Sequence, residues 1–168
     1  PTNKLDQWIL SELNVLIKEV TENMDAYNLT WATRPMQDFL ENLSNWYVRR
    51  SRRRFWKSEN DDDKTQAYQT LYMVLTTFCK LLAPFMPFIS DEVFINLTGK
   101  KSVHMEDWPK VRESLVNEDL NKEMAAIRKI VNLGHSVRGK ARIKVRQPLA
   151  KVQIALPRGI QKKRIKEQ

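Results

Sequence analysis

Apolar residues at spacings of three and four, sustained over about twenty positions at a time, constrain this chain more than any other feature. Leu5, Ile9, Leu13, Leu16, Val20, Met24 and Tyr27 form the first such series. At 3.6 residues per turn they line one face of a helix over about residues 4–27. With only four glycines in 168 residues, little room is left for tight hairpins or a phosphate-cradling loop. An apolar content of 42% is enough to bury a core at this length, which argues against intrinsic disorder.

Four further helices follow. Asn28-Leu29-Thr30 reads as a short connection with Thr30 as a candidate cap, and the second helix runs over about 31–56, with Pro35 in its first turn. Ser58–Asp63 is polar, and Asp63 is a candidate cap for a helix over Lys64–Ala83. In that helix Tyr68, Leu71, Tyr72, Leu75, Phe78, Cys79 and Leu82 make a stripe that Met73, Val74 and Leu81 widen, so it is expected to be the most buried. Pro87 opens a short helix that Gly99 closes as a C′ residue, with Asp91 and Glu92 read as first-turn acids. Residues 100–116 have no steady period and read as a loop packed down by Val103, Met105 and Trp108. A fifth helix spans about 118–138, with Leu120, Met124, Ile127, Ile130, Val131 and Val137 toward the core. After Gln147-Pro148, Val152, Ile154 and Leu156 alternate with polar or small residues, the mark of a short strand that leads into a further domain. The expected organisation is a bundle over 1–140 and a basic segment over 141–168.

The charge is unevenly spread. Residues 138–168 hold eleven of the 29 Lys and Arg but one of the 20 Asp and Glu, which gives that segment +10 and the rest −1, within a total of +9. A second positive block, Arg49, Arg50, Arg52, Arg53, Arg54 and Lys57, is followed at once by Glu59, Asp61, Asp62 and Asp63. Two basic clusters on a balanced body point to a polyanionic partner.

On a wheel of 100° per residue, Met36, Phe39, Leu40, Leu43, Trp46 and Tyr47 share one side of the second helix, and Arg50 and Arg54 fall with them. Those two arginines are therefore expected along the bundle, paired with acids or carbonyls. Asn42, Asn45, Arg49, Arg52, Arg53 and Trp56 fall on or near the outer side. Outward guanidinium groups can meet phosphate oxygens, Asn45 can offer an amide to a base edge, and Trp56 can stack on an unpaired base. Duplex DNA recognition wants a short turn before a recognition helix; single-stranded RNA in a loop fits this pattern better.

Other chemistry finds little support. Cys79 is the single cysteine, so no internal disulfide forms, and with two histidines it argues against a structural zinc site. Those features favour a reducing, cytoplasmic setting. No apolar run approaches the roughly 18 residues of a membrane span. Pro1 is followed by no signal-like start, so the chain reads as an excised fragment. His104 lies in an apolar loop without a Ser, Cys or carboxylate constellation that would make it catalytic, and Gly134-His135 sits mid-helix with no Gly-rich loop around it. Asp61–Asp63 lack the ligand spacing of a cation site. No catalytic residue, metal ligand or cofactor site is expected here.

Several strings resemble one family. Leu43-Ser-Asn-Trp-Tyr-Val-Arg-Arg-Ser-Arg-Arg-Arg-Phe-Trp56 is similar to the hallmark helix of isoleucyl-tRNA synthetases, and Leu82-Ala-Pro-Phe-Met-Pro-Phe-Ile-Ser-Asp-Glu92 to the Pro-turn of the class Ia anticodon-binding bundle. Ser102-Val103-His104 with Asp107-Trp108-Pro109 resembles the segment that follows, and Ile143-Lys144-Val145-Arg146-Gln147-Pro148-Leu149 the exit from the bundle. The resemblance covers about residues 4–156.

It implies an all-α antiparallel helical bundle that holds the anticodon stem-loop of the isoleucine tRNA, in a monomeric parent enzyme that uses ATP and Mg²⁺ through motifs absent from this chain. Methionine relatives place a base-contacting Asn in an Asn-x-Tyr-Val setting, which Asn45-Trp46-Tyr47-Val48 matches. The expected tRNA contacts are Asn45, Arg49, Arg52, Arg53 and Trp56 at the anticodon loop, with Arg142, Lys144 and Arg146 on stem phosphates. The Pro-turn is shared with valine and leucine relatives, and a stand-alone helical RNA-binding module or a structural interaction bundle stays open as well.

Overall fold

The computed structural model describes residues 1–57 and 61–154. The chain divides into two compact units, Pro1–Asn117 and Glu118–Gln168. The first holds α1 (Lys4–Asp25), α2 (Leu29–Glu41), a π-helical stretch (Asn42–Val48), α3 (Arg49–Trp56), α4 (Asp62–Leu82) and α5 (Pro87–Thr98), then single 3₁₀ turns at Val103–Met105 and Glu113–Leu115. The second holds α6 (Glu118–Lys140). The expected all-α helical bundle is what forms, and no strand occurs among the described residues.

The centre of the first unit is α1 rather than α4. Asn3 caps α1, its side-chain oxygen accepting from Leu5 N–H at 2.9 Å. Its buried residues include Trp8, Ile9, Leu10, Leu13, Leu16, Ile17 and Val20, each large side chain contributing about 1.5–3 kcal/mol of burial. α1 touches α2, α4, the π stretch and the Glu113–Leu115 turn, so its sides are covered. α4 leaves Tyr68, Tyr72 and Met73 exposed, contrary to the expectation from its apolar width. Tyr27 also leaves the expected stripe. It takes φ 57° just past the helix end, where Tyr27 N–H bonds Met24 C=O and Asn28 N–H bonds Asn23 C=O. This is a Schellman closure with tyrosine where glycine is usual, and it leaves Tyr27 91% exposed.

α2, the π stretch and α3 run as one rod. Thr30 is not the cap: the rod starts at Leu29, with Asn28 ahead of it, which puts Pro35 in the interior of α2 instead of its first turn. Arg49 N–H reaches back five residues to Ser44 C=O, the widened spacing of a π turn. Tyr47, Ser51 and Arg54 turn inward at i, i+4 and i+7. Ser51 is fully buried where Arg50 was expected, Arg50 is exposed, and Arg54 stays inward. Asn42, expected outside, is buried, with its Nδ2 donating to Glu12 Oε2 at 3.4 Å.

Polar groups close the unit. Asp61, not Asp63, caps α4, accepting from Lys64 N–H at 2.8 Å. Pro87 starts α5 and Gly99, at φ 69°, ends it, as expected. Asp91 is no first-turn acid: its Oδ1 accepts from Ser102 Oγ and Val103 N–H, both at 2.8 Å. That fixes Val103 in a small core with Cys79 and Phe94. Met105 stays exposed, whereas Trp108 is partly covered and donates to Thr21 Oγ1 at 2.9 Å. Two buried polar residues of α1 hold the later segment, Asn14 accepting from Arg112 N–H and Ser11 from Asn117 N–H.

In the second unit Leu120 and Met124 are buried, while Val131 and Val137 are exposed rather than core. Residues 151–154 form no strand, since a strand needs a partner to bond, and Leu156 lies outside the described residues.

Candidate nucleic-acid interface

Five expected contact residues lie on one rod. Asn45, Arg49, Arg52, Arg53 and Trp56 are all exposed. Arg49, Arg52, Arg53 and Trp56 are spaced by three and four residues along the exposed ridge of α3, and Asn45 lies in the π stretch just before it. Arg52 lies over the Trp56 ring with its guanidinium carbon 4.0 Å from the centroid, and Trp56 remains 67% exposed. A guanidinium plane held on an indole is a ready platform for one more flat ring.

Of the acids that follow the arginines, Asp61 and Asp63 are taken up by cations beside the ridge, and Glu59 lies outside the described residues. Lys57 Nζ pairs with Asp61 at 2.6 Å and Asp63 at 3.3 Å, and Arg54 takes the rest of Asp63. The Lys57 ammonium and the Arg54 guanidinium hold the Asp61 and Asp63 carboxyls, respectively, below the usual carboxylate range. Arg49, Arg50, Arg52 and Arg53 make no ion pair among the described residues. Arg50 therefore adds a cation to the exposed surface that the ideal wheel assigned to the interior. Ser51 takes the inward place beside Tyr47 and Arg54, a choice between neighbouring positions that residue periodicity leaves open.

Beneath the ridge, Arg54 anchors the rod. Its Nη1 and Nη2 donate to Asp6 Oδ1 and Oδ2 at 2.7 and 2.8 Å, and its Nε to Asp63 Oδ1 at 2.9 Å. Tyr47 Oη donates to Asp6 Oδ1 at 2.8 Å, and burial, with the Asp6 carboxylate beside it, pushes the phenol far above its ordinary value. The bond to Asp6 likewise raises the Arg54 guanidinium. The expectation for Arg54 is met: fully partnered, it lends the outer surface no charge.

Arg142, Lys144 and Arg146 belong to the second unit. They sit on a turn that closes α6 by the device used at α1: Arg142 N–H bonds Gly139 C=O and Ile143 N–H bonds Arg138 C=O, with Arg142 at φ 54°. The left-handed conformation costs a non-glycine residue about 1–2 kcal/mol. Arg138 secures it, Nη1 donating to Lys144 C=O at 3.0 Å and Gln147 C=O at 2.9 Å. All three basic side chains stay exposed. Sequence reasoning counted Arg138 only as charge, because a side chain that clasps two carbonyls six and nine residues on has no local signature.

Elsewhere, burial pushes the Cys79 thiol up and away from reactivity. His104 Nε2 lies 3.2 Å from Pro87 C=O. Among the described residues no cluster of three or more His, Cys, Asp or Glu could hold a metal ion. No described helix is long and apolar enough to cross a membrane.

Comparison with known proteins bears on this geometry. A family model for the anticodon-binding domain of tRNA ligases matches residues 6–154. An isoleucine–tRNA ligase of Dehalococcoides mccartyi (strain CBDB1) is 51% identical over 159 residues, covering 91% of this chain and 16% of the relative. One from Clostridium tetani is 46% identical over 160 residues, covering 92% and 15%, and one from Chlamydia pneumoniae 47% over 150 residues, covering 88% and 14%. The chain thus spans about one-sixth of the length of these curated relatives.

Proposed function

This chain belongs to the family of anticodon-binding domains of tRNA ligases, and from that membership we propose that it grips the anticodon stem-loop of the isoleucine tRNA. The observation that carries the reading is the exposed ridge Asn45–Arg49–Arg52–Arg53–Trp56, its arginines left without ion pairs among the described residues while Lys57 and Arg54 take Asp61 and Asp63. Trp56 with Arg52 offers a stacking plane for a splayed-out loop base, Asn45 an amide for its edge, and Arg49 and Arg53 donors for phosphate oxygens. Arg142, Lys144 and Arg146, on the turn that Arg138 clasps, neutralise phosphates of the stem.

In this reading the bundle over 1–140 is the binding domain and 141–168 leads into a further one. The parent is a cytoplasmic, monomeric isoleucine–tRNA ligase that joins isoleucine to its tRNA at the expense of ATP and Mg²⁺. That chemistry lies outside these residues. The isoleucine assignment is supported by the names of the relatives at 46–51% identity.

Filter binding of the isoleucine tRNA and of anticodon-swapped versions tests the proposal. The expected result is retention that falls when only the anticodon is exchanged. Each phosphate contact adds about 0.7–0.9 to the slope of log affinity against log salt. Equal retention of every anticodon would leave a non-specific RNA binder, and no retention at low salt a structural bundle.

A further inference from the structure

The first unit carries an apolar trough that the RNA-binding reading does not use. It has a volume of about 480 Å³. Leu40 of α2 forms one wall, Met86, Ile89 and Val93 at the start of α5 and along it form the other, and Phe78 and Leu82 of α4 form the floor. Leu40, Met86 and Ile89 are 50%, 50% and 57% exposed. None of its thirteen lining residues is charged. A polyanion has nothing to bind there, whereas an apolar surface of this kind marks a protein contact.

We infer that the trough seats an amphipathic helix from the remainder of the ligase polypeptide. Two facts favour that occupant. The curated relatives carry the matched region as only about one-sixth of their length, so the domain occurs joined to much more chain. The wall residues Ile89 and Val93 are spaced i, i+4 on α5, opposite α2, leaving two helical ridges with a groove between them. That is the seat into which a third helix lays an apolar face with i, i+3, i+4 anchors. The inference rests on family membership and not on tRNA binding, so loss of anticodon preference leaves it standing.

Met86 is a natural probe. Peroxide oxidation followed by mass spectrometry, with a free methionine peptide as internal standard, compares this 168-residue chain with the full-length ligase that contains it. Met86 is expected to oxidise about tenfold more slowly in the full-length protein, since oxidation follows exposure. Ile89→Lys in the full-length ligase is expected to restore that rate while leaving the unfolding midpoint of the isolated chain unchanged. Three results would overturn the inference: equal Met86 rates in the two proteins, protection in the isolated chain that grows with its own concentration, which means a second copy, or protection there on adding tRNA, which means an RNA surface. Continued Met86 protection in the full-length Ile89→Lys variant overturns it as well, because the cover then does not sit in the trough.

Discussion

Tyr47 and Arg54 donate to the same oxygen, Asp6 Oδ1, at 2.8 and 2.7 Å. Tyr47 is fully buried, the Asp6 side chain is inaccessible, and Arg54 is exposed only at its edge. The π stretch and α3 are thereby fixed to α1, and through Asp63 to α4, so the exposed ridge stands on a rigid base. Removing one partner of a buried ion pair strands the other charge.

Arg54→Ala is therefore expected to destabilise the chain by about 3–5 kcal/mol, read from the urea midpoint. Replacing the pair together, Arg54→Met with Asp6→Leu, is expected to cost clearly less, since no charge is left unpaired. A double variant as unstable as Arg54→Ala would show that shape, not charge, holds the rod.

Trp56→Ala is expected to weaken tRNA binding by about 5- to 150-fold, the loss of one base–aromatic stack of about 1–3 kcal/mol. Trp56→Phe should recover most of it. Because the indole is exposed, the stability change should stay within about 0.5 kcal/mol. Unchanged affinity in Trp56→Ala would place the stacking platform elsewhere.

Asn45→Ala is expected to lower affinity for the isoleucine anticodon stem-loop while leaving binding of anticodon-swapped loops nearly as it was. Competition between the two loops measures this directly. An equal loss for both would make Asn45 a backbone contact.

Arg138→Met removes the clasp on Lys144 and Gln147 carbonyls while keeping a long side chain. Faster amide exchange at Ile143 and Gln147 is expected, with a uniform loss of affinity across tRNAs. Reversing Arg142, Lys144 and Arg146 to Glu should instead flatten the salt dependence by about 2–3 in slope.

Acid should weaken the fold by a definite route. The Asp61, Asp63, Asp91 and Glu106 carboxyls are all held below the usual range, the last two chiefly by Val103 N–H and by Lys100. Their contribution is complete above the ordinary carboxylate value of about 4 and is lost as pH falls through the lower folded values, because the unfolded chain there binds more protons. Urea midpoints should hold from pH 7 to about 5 and then drop, with a shallower drop in Asp91→Asn. Tyr47 acts at the other end: its folded value is raised, so stability falls once pH exceeds about 10, where the unfolded phenol ionises.

Much of this was legible in residue order. The apolar series gave α1, the Pro87 and Gly99 boundaries bracketed α5, and the strings at 43–56 and 82–92 pointed to the family that residues 6–154 match. Those signals are local: helix periodicity, a missing amide hydrogen and a left-handed φ each act within a few residues. The side on which each arginine falls was not local. An ideal wheel assigned Arg50 and Arg54 alike, and packing separated them: Ser51 is buried, Arg50 faces solvent and Arg54 reaches Asp6.

The sequence by itself determined that the chain is a helical bundle with an Asn/Arg/Trp series on its second rod and a basic C-terminal segment, because spacing and composition carry that information. Only the tertiary structure decided which charges are spent and which are free. Asp6 lies 48 residues from Arg54, and their meeting depends on how α1, α3 and α4 pack. With Arg54 and Lys57 taken by acids, Arg49, Arg52 and Arg53 remain on the exposed ridge, because an ion pair satisfies a charge only where folding brings its partner within reach.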